Sequence, residues 1–328
     1  MKNNQKLIFV LTVLICCLCF AEFNCFIGQQ NFEPGKRTLL DAHNCYPYHG
    51  QWFDRLNRAL ACGFPLAVEQ DLVWFADSLS GKSRSIIAHG EPYSGNEPTL
   101  REYFFERIRP IIEKEMQSSD KSNWPLIILN LDFKTNVRDH YVAIWKLLNE
   151  YQDWLCTAKR LKNKNKVAPL ELRPILVLTG QQNSQEIIFH DSVKVGEKLL
   201  LFGAIQTVGD SVEVPPETMA PKGQTNYRRW WNNSWSVVEK DRYNNQWSKA
   251  EKVRLQALVD RAHQLGLWIR FYTLDGYQRD ESMGWSDSYN FGSIERVSER
   301  WRAAIDCGVD FIATDQYEIL ARLLKQHQ

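Results

Sequence analysis

Short apolar segments alternate with longer amphipathic segments along almost the whole chain after residue 38. The short segments are rich in Val, Ile and Leu, as expected of buried strands, and the longer ones repeat apolar residues three and four positions apart, as helices do. Strands that alternate with helices build a mainly parallel sheet, because each helix returns the chain to the start of the next strand. This alternation restricts the fold more than any other feature of the sequence.

The number of predicted strands selects a closed barrel over an open sheet. Seven or eight strands fit a single (β/α)8 barrel of TIM type, and neither G-x-G-x-x-G nor a phosphate-loop motif follows the first strand. No change of composition marks a second domain, so we predict one domain over residues 22–328. The predicted strands cover 38–43, 65–74, 125–134, 173–179, 198–206, 267–274 and 309–314, with a short apolar run at 86–88. The predicted helices cover 51–61, 100–116, 140–155, 251–265 and 294–307, and a last one starts near 317.

The first 21 residues have the organisation of a secretory signal peptide. Lys2 and Lys6 precede the apolar run 7–20, and the small residue Ala21 follows it. The run is shorter than the ~20 residues that span a bilayer comfortably. We therefore expect cleavage after Ala21 and a secreted or periplasmic protein.

Two further expectations concern cysteine and tryptophan. Export permits disulfides, and Cys45 and Cys62 flank one predicted helix, so this pair is the first to test. The Trp-containing stretch 209–246 is a long loop by sequence, and long loops are often functional. It is our candidate for contact with substrate or with a membrane interface, although we prefer a structural role for its tryptophans, as large core and surface aromatics.

The charge balance excludes one class of partner. Lys and Arg together number 40 and Asp and Glu number 39, which gives a net charge of +1. A chain without excess positive charge has no electrostatic footprint for nucleic acid. The sequence does not indicate an oligomeric state.

The segment 66–73 reads as a buried strand that carries two carboxylates. Residues two apart in a strand point to the same side, so Glu69 and Asp71 project together. Two like charges on one face need a divalent metal, a basic partner or a shared proton. Asn130, Asp132 and Lys134 share a face of the next long strand by the same period.

Two histidines complete the candidate site. His43 and His89 each follow an apolar run, and barrels of this type place their chemistry at the C-terminal ends of the strands. Glu69, Asp71 and Asp132 form an oxygen-rich set that suits Mg²⁺ or Ca²⁺ better than zinc. Histidines beside such a set indicate metal-assisted acid–base chemistry.

Four motifs carry a resemblance to a known superfamily. They are His43-Asn44, Glu69-Gln70-Asp71, His89-Gly90 and the segment 129–134, Leu-Asn-Leu-Asp-Phe-Lys. Together they resemble the phospholipase C-like phosphodiesterases, which are TIM-type barrels, and the glycerophosphodiester phosphodiesterases in particular. The segment 308–315 is similar to the last barrel strand of that family.

The resemblance implies a role for each candidate residue. Glu69, Asp71 and Asp132 would bind the metal, and His43 and His89 would be the acid–base pair. Lys134 and Asn44 would contact the phosphate or the substrate. Asp132 stands where the glycerophosphodiesterases usually carry Glu, and Asn44 stands where they usually carry Arg.

The implied activity is hydrolysis of a glycerophosphodiester or a phospholipid headgroup, with His43 preferred as base and His89 as acid. The same E-x-D and second-histidine pattern is also similar to phospholipase D enzymes of the spider-venom type, which would form a cyclic phosphate. The sequence also leaves open an inactive barrel that binds phosphorylated headgroups and a barrel glycosidase that uses Glu69.

Overall fold

Eight parallel strands close into a ring with helices between them, which confirms the predicted (β/α)8 barrel. The computed structural model describes residues 32–48, 50–77, 81–118, 120–121, 124–240, 246–278, 281 and 290–327. The predicted signal peptide, residues 1–21, lies outside the described residues. No helix in the described ranges is both long and apolar enough to cross a membrane.

The ring closes because the first strand pairs with both the second and the last. β1 is bonded in parallel to β11, with Leu39 opposite Phe311, and to β2, with Asp41 opposite Ala67. The barrel order is β1-β2-β4-β6-β8-β9-β10-β11. The strands are β1 Leu39–Ala42, β2 Leu66–Ala76, β3 Ser83–Ile87, β4 Ile127–Phe133, β5 Ala158–Lys159, β6 Ile175–Thr179, β7 Lys198–Leu199, β8 Phe202–Ala204, β9 Arg228–Ser234, β10 Trp268–Tyr272 and β11 Phe311–Thr314.

The helices begin and end at residues suited to those positions. Ser248 and Glu251 form a reciprocal capping box at the start of α6, and Gly308 ends α7 with a φ of 80°, where a side chain would be strained. The helices are α1 Arg55–Ala61, α2 Glu106–Met116, α3 Arg138–Glu150, α4 Asn183–Glu186, α5 Pro216–Met219, α6 Lys249–Gln264, α7 Ile294–Cys307 and α8 Tyr317–Gln326. A π-helical turn over Arg101–Phe105 precedes α2, and Pro110 lies inside α2.

The assignment of 209–246 as a loop is wrong and the Cys45–Cys62 pair is not bridged, whereas the preferred structural role of the tryptophans is confirmed. The stretch 209–246 contains barrel strand β9, and Trp230, Trp231 and Trp235 are buried in the core. Apolar strand residues interrupted by Arg and Asn looked like a loop, whereas Arg228 and Arg229 are buried and donate hydrogen bonds to backbone carbonyl oxygens. Cys45 and Cys62 are free thiols, as are the other described cysteines, so no disulfide closes α1.

His140 on α3 joins this helix to strand β3. The His140 ring is fully buried, with Nε2 2.8 Å from Ser85 Oγ and Nδ1 3.0 Å from the carbonyl oxygen of Thr135. It packs beside Trp74 and edge-on to Phe133. Burial lowers the pKa of His140 to about 4, and the Thr135 carbonyl opposes that shift only in part. His140 is therefore neutral in the folded protein.

This burial predicts an acid-sensitive fold. In the unfolded chain His140 titrates near its ordinary value of about 6.5, so the unfolded state binds more protons between that pH and about 4. Stability from this group is present above pH 6.5 and falls by about 3 kcal/mol as the pH drops through that window. Urea unfolding from pH 7 to pH 4 should show a shallower loss in His140→Gln than in wild type. His327→Gln, an exposed control, should leave the slope unchanged, and parallel curves for wild type and His140→Gln would exclude this role.

Candidate active site

A polar cavity of about 230 Å³ opens at the C-terminal end of the barrel. It receives six of the seven predicted site residues, and the seventh, Asp71, lies buried behind its wall. The lining residues are His43, Asn44, Glu69, His89, Asn130, Leu131, Asp132, Lys134, Gly180, Asn232, Arg270 and Tyr272. The set therefore gathers from several strand ends, as expected for a barrel site.

Strand register brings the carboxylates together. β2 and β4 pair in parallel with Glu69 opposite Asn130 and Asp71 opposite Asp132, so two neighbouring strands present acidic side chains at the same height. One ligand oxygen from each of Glu69, Asp71 and Asp132 can be chosen so that all three lie within 4.8 Å of one another. The predicted cluster of three carboxylates thus exists in the fold.

His43 lies directly after β1 and is oriented by Asp315, which follows β11. His43 Nδ1 is 2.9 Å from Asp315 Oδ1, and Tyr317 Oη donates to the His43 carbonyl oxygen at 2.6 Å. The other ring nitrogen, Nε2, lies 3.8 Å from Glu69 Oε1 at the cavity. A carboxylate on Nδ1 selects the tautomer that leaves Nε2 available for proton transfer.

Asp315 is fixed in turn by its own neighbours. Its backbone N–H donates to Asp275 Oδ1 at 2.7 Å, and Asn44 Nδ2 donates to Asp315 Oδ1 at 3.0 Å. Arg55 Nη1 lies 3.3 Å from Asp315 Oδ2. Asn44 Oδ1 also lies 2.7 Å from Tyr46 Oη, so both ends of its amide are held beside the Asp315–His43 pair. Its contact with substrate stays a prediction.

The two histidines differ in protonation. Burial lowers the pKa of His43. The Glu69 and Asp315 carboxylates together raise it by more than burial lowers it, so the pKa is about 9. Burial and the Lys134 charge lower the pKa of His89. With the charges that the protein itself supplies, His43 thus holds a proton at neutral pH and His89 is neutral.

His89 reaches the cavity by a route that the sequence did not indicate. It was expected at the end of a barrel strand, but β3, which precedes it, runs antiparallel to β2 outside the ring, with Leu72 opposite Ile87. The Ala88 N–H donates to the Asp71 carbonyl oxygen, so this hairpin continues to the edge of the site. The Tyr48 ring packs against the His89 ring, with 5.9 Å between centroids. The length of β2, not the barrel closure, places His89.

Glu69 is held by a buried arginine that sequence reasoning missed. Arg270 on β10 donates to both Glu69 Oε2 and Asp41 Oδ2, and to Asn232 Oδ1 at 3.0 Å. Burial raises the pKa of Glu69. The Arg270 and His43 charges together lower it by more than burial raises it, so the pKa is about 2. Glu69 is therefore ionised, with Oε2 committed to Arg270 and Oε1 facing His43.

Asp71 has one satisfied and one unsatisfied oxygen. Tyr46 Oη donates to Asp71 Oδ2 at 2.7 Å, and Lys134 Nζ lies 3.0 Å from the same atom. Among the described residues, Asp71 Oδ1 is buried without a hydrogen-bond partner. Burial is the main cause that raises the pKa of Asp71 well above its ordinary value. A buried carboxylate oxygen without a donor is costly unless a cation or a proton meets it.

The donor set and the charge balance fit a divalent cation. Asp41, Glu69, Asp71 and Asp132 bring four negative charges when ionised, whereas Arg270, Lys134 and the protonated His43 bring three positive ones, which leaves one uncompensated. Carboxylate oxygens without thiolate ligands suit Mg²⁺ or Ca²⁺. Glu69, Asp71 and Asp132 are the residues that would hold the ion.

Weak signals in the sequence pointed to the missed residues. Asp41 stands two positions before His43 and so shares its strand face, and Arg270 interrupts an otherwise apolar strand, with Tyr272 two positions later. A charged residue inside such a strand needs a buried partner. Asp315 was part of the segment that resembles the last strand of the family. It is 272 residues from His43, and no repeat of residues along a strand or helix can predict a contact over that separation.

Comparisons with known proteins find structural neighbours of low sequence identity. No family model and no curated protein matches the chain. It is similar to a calcium-dependent phosphoinositol-specific phospholipase C from a Pseudomonas species, with a TM-score of 0.49 and 14% identity over 91% of this chain and 96% of that one. A glycerophosphodiester phosphodiesterase from Parabacteroides distasonis has a TM-score of 0.46 and 13% identity over 88% and 98%. A triple-mutant HPPK-DHPS from Plasmodium falciparum has a TM-score of 0.44 and 10% identity over 90% and 48%.

Members of the superfamily that the sequence resembles are thus among the structural neighbours, together with a protein of another name. At these identities and scores the neighbours carry no inference about the activity of this protein. Chemistry on a shared fold is decided by the side chains at the site.

Proposed function

We propose that this protein is an exported, metal-dependent phosphoric diester hydrolase that acts on a glycerophosphodiester or a phospholipid headgroup. The observation that carries the proposal is one cavity that joins an Asp315-oriented His43 and His89 to the Glu69, Asp71 and Asp132 cluster. Two ring nitrogens and a cation site in one pocket provide what cleavage of a phosphodiester requires: proton transfer at both ends of the reaction and compensation of phosphate charge.

His43 acts as the base in this proposal. Asp315 holds Nδ1, so Nε2 removes the proton of the attacking hydroxyl, which belongs either to water or to the substrate itself. His89, from the β3 side of the cavity, protonates the leaving oxygen. Because His89 is neutral in the free protein, the anionic phosphate must first raise its pKa so that the ring takes up the proton it donates. An internal attack would give a cyclic phosphate first, and attack by water would give the monoester directly.

Glu69, Asp71 and Asp132 hold the cation, and Lys134 adds a second positive charge at the cavity. When bound, a divalent cation supplies positive charge to the nonbridging phosphate oxygens and offsets the Glu69 charge that otherwise keeps a proton on His43. Arg270 keeps Glu69 ionised and fixes its orientation.

Metal removal tests the proposal. Residues 22–328 are incubated with glycerophosphocholine, lysophosphatidylcholine or phosphatidylinositol, in Mg²⁺, in Ca²⁺ and in EDTA, with products followed by phosphorus NMR. We expect turnover of at least one substrate with a cation, loss in EDTA and recovery on re-addition. The chemical shift separates a monoester from a cyclic product.

Glu69→Gln is the matched variant, since it removes one ligand charge while Arg270 keeps Asp41 as a partner. It should lower turnover by about 100-fold or more. Glu197→Gln, an exposed control, should behave as wild type. Turnover that persists in EDTA contradicts the metal dependence. Ligand binding without turnover favours the inactive barrel that binds phosphorylated headgroups. Turnover of a glycoside overturns the proposal.

A further inference from the structure

Lys134 lies between two of the residues assigned to the cation. Its Nζ is 2.7 Å from Asp132 Oδ2 and 3.0 Å from Asp71 Oδ2, and these carboxylates face each other across the β2–β4 register. The Lys134 backbone is fixed, because its N–H donates to the Leu72 carbonyl oxygen at 2.9 Å. Any change in the ammonium position therefore comes from rotation of the side chain.

The ammonium and a divalent cation would use the same carboxylates. Asp71 Oδ1 is buried, and Asp71 Oδ2 already receives both Tyr46 and Lys134. Asp132 is half-exposed and binds Lys134 through Oδ2. A cation bound by Asp71 and Asp132 would stand beside a like charge at these distances, and like charges in a partly buried site repel strongly.

We propose that Lys134 is a built-in competitor of the metal and that metal binding releases its ammonium into the cavity, where it meets the substrate phosphate. The inference rests on the metal-dependent function proposed above. The Lys134 side chain is 27% exposed and lines the cavity, so the released ammonium has open space beside it. Without metal the phosphate-binding lysine is occupied by carboxylates, and with metal it becomes available.

This arrangement couples two ligands. Metal binding makes the site positive in two ways, through the ion and through the freed ammonium, so the metal should strengthen binding of an anionic substrate. By linkage the anion should strengthen metal binding by the same factor. If Lys134 stayed bound to the carboxylates both without and with metal, the metal would not displace its ammonium. The accessibility of the Lys134 amine would then be the same in both states.

Two measurements on the full mature chain test the proposal. Calorimetric titration with Ca²⁺ and with Mg²⁺ should show at least about tenfold tighter binding in Lys134→Met than in wild type, since the competing cation is gone. Lys114→Met, which removes an exposed lysine near Glu115, is the matched control and should bind as wild type. Equal or weaker binding by Lys134→Met overturns the competition.

Amine labelling separates release from simple repulsion. Wild-type protein is treated briefly with an amine-reactive ester with and without the metal, and the modification of each lysine is measured by mass spectrometry. Labelling of Lys134 should rise severalfold on metal addition, while Lys114 should not change. Constant labelling of Lys134 with bound metal rejects the release but leaves the hydrolase proposal intact. Absence of metal binding in both wild type and Lys134→Met rejects the release and the metal dependence together.

Discussion

His43→Ala is expected to lower turnover by about 10³-fold while metal affinity changes little. His43 is the proposed base, and loss of a positioned acid–base group costs about 10²–10⁴-fold. Its Nδ1 faces Asp315 and its Nε2 faces Glu69, so the ring is not among the assigned metal ligands. Phosphorus NMR gives the rate, calorimetry gives the metal affinity, and circular dichroism checks the fold. His327→Ala, which removes an exposed ring, is the control.

The leaving group separates the two histidines. A p-nitrophenyl phosphodiester has a leaving group that departs without protonation, so a variant that lacks only the acid should cleave it well. His89→Ala is therefore expected to recover most of its activity on this ester, whereas His43→Ala should stay inactive. Recovery in His43→Ala alone would exchange the roles of the two histidines. Unaltered turnover in both variants would remove the acid–base assignment.

Arg270→Met is expected to destabilise the fold by about 3–5 kcal/mol, the typical cost of removing one member of a buried ion network. Arg270 is the partner of both Asp41 and Glu69, and all three side chains are buried. Without it, two carboxylates inside the barrel lose their counter-charge. The free energy of unfolding in urea, followed by fluorescence and by circular dichroism, measures the effect.

Neutralising Asp41 and Glu69 tests whether their uncompensated charges cause the loss of stability. Arg270→Met combined with Asp41→Asn and Glu69→Gln should regain most of the lost stability, because neutral amides no longer need a cation. Arg302→Met, at an exposed arginine, should change stability by less than about 0.5 kcal/mol. Equal stability of Arg270→Met and wild type would show that the buried network is unimportant for the fold.

The sequence predicted the barrel and the gathering of the site because both depend on short-range patterns. A period of two placed Glu69 beside Asp71, and Asp132 beside Lys134, without knowledge of any long-range contact. The helix 294–307 was predicted with its observed ends, since Ser293 and Gly308 are strong boundary residues.

The parts that could not be predicted depend on contacts between distant segments. Which carboxylate orients His43 is decided only when β11 joins β1, and the counter-ion of Glu69 comes from β10. The strand Arg228–Ser234 was assigned to a loop because the partners of Arg228 and Arg229 lie in distant parts of the chain. Local composition carries no information about such partners.

The pairing of the first strand with the last has a consequence for when activity begins. His43 and Asp315 are 272 residues apart, and they meet only across the β1–β11 seam. A chain still emerging from the ribosome has the histidine but not its carboxylate, and a chain cut anywhere before β11 has the same defect. Under the proposed function, activity would therefore require the complete barrel, including its last strand.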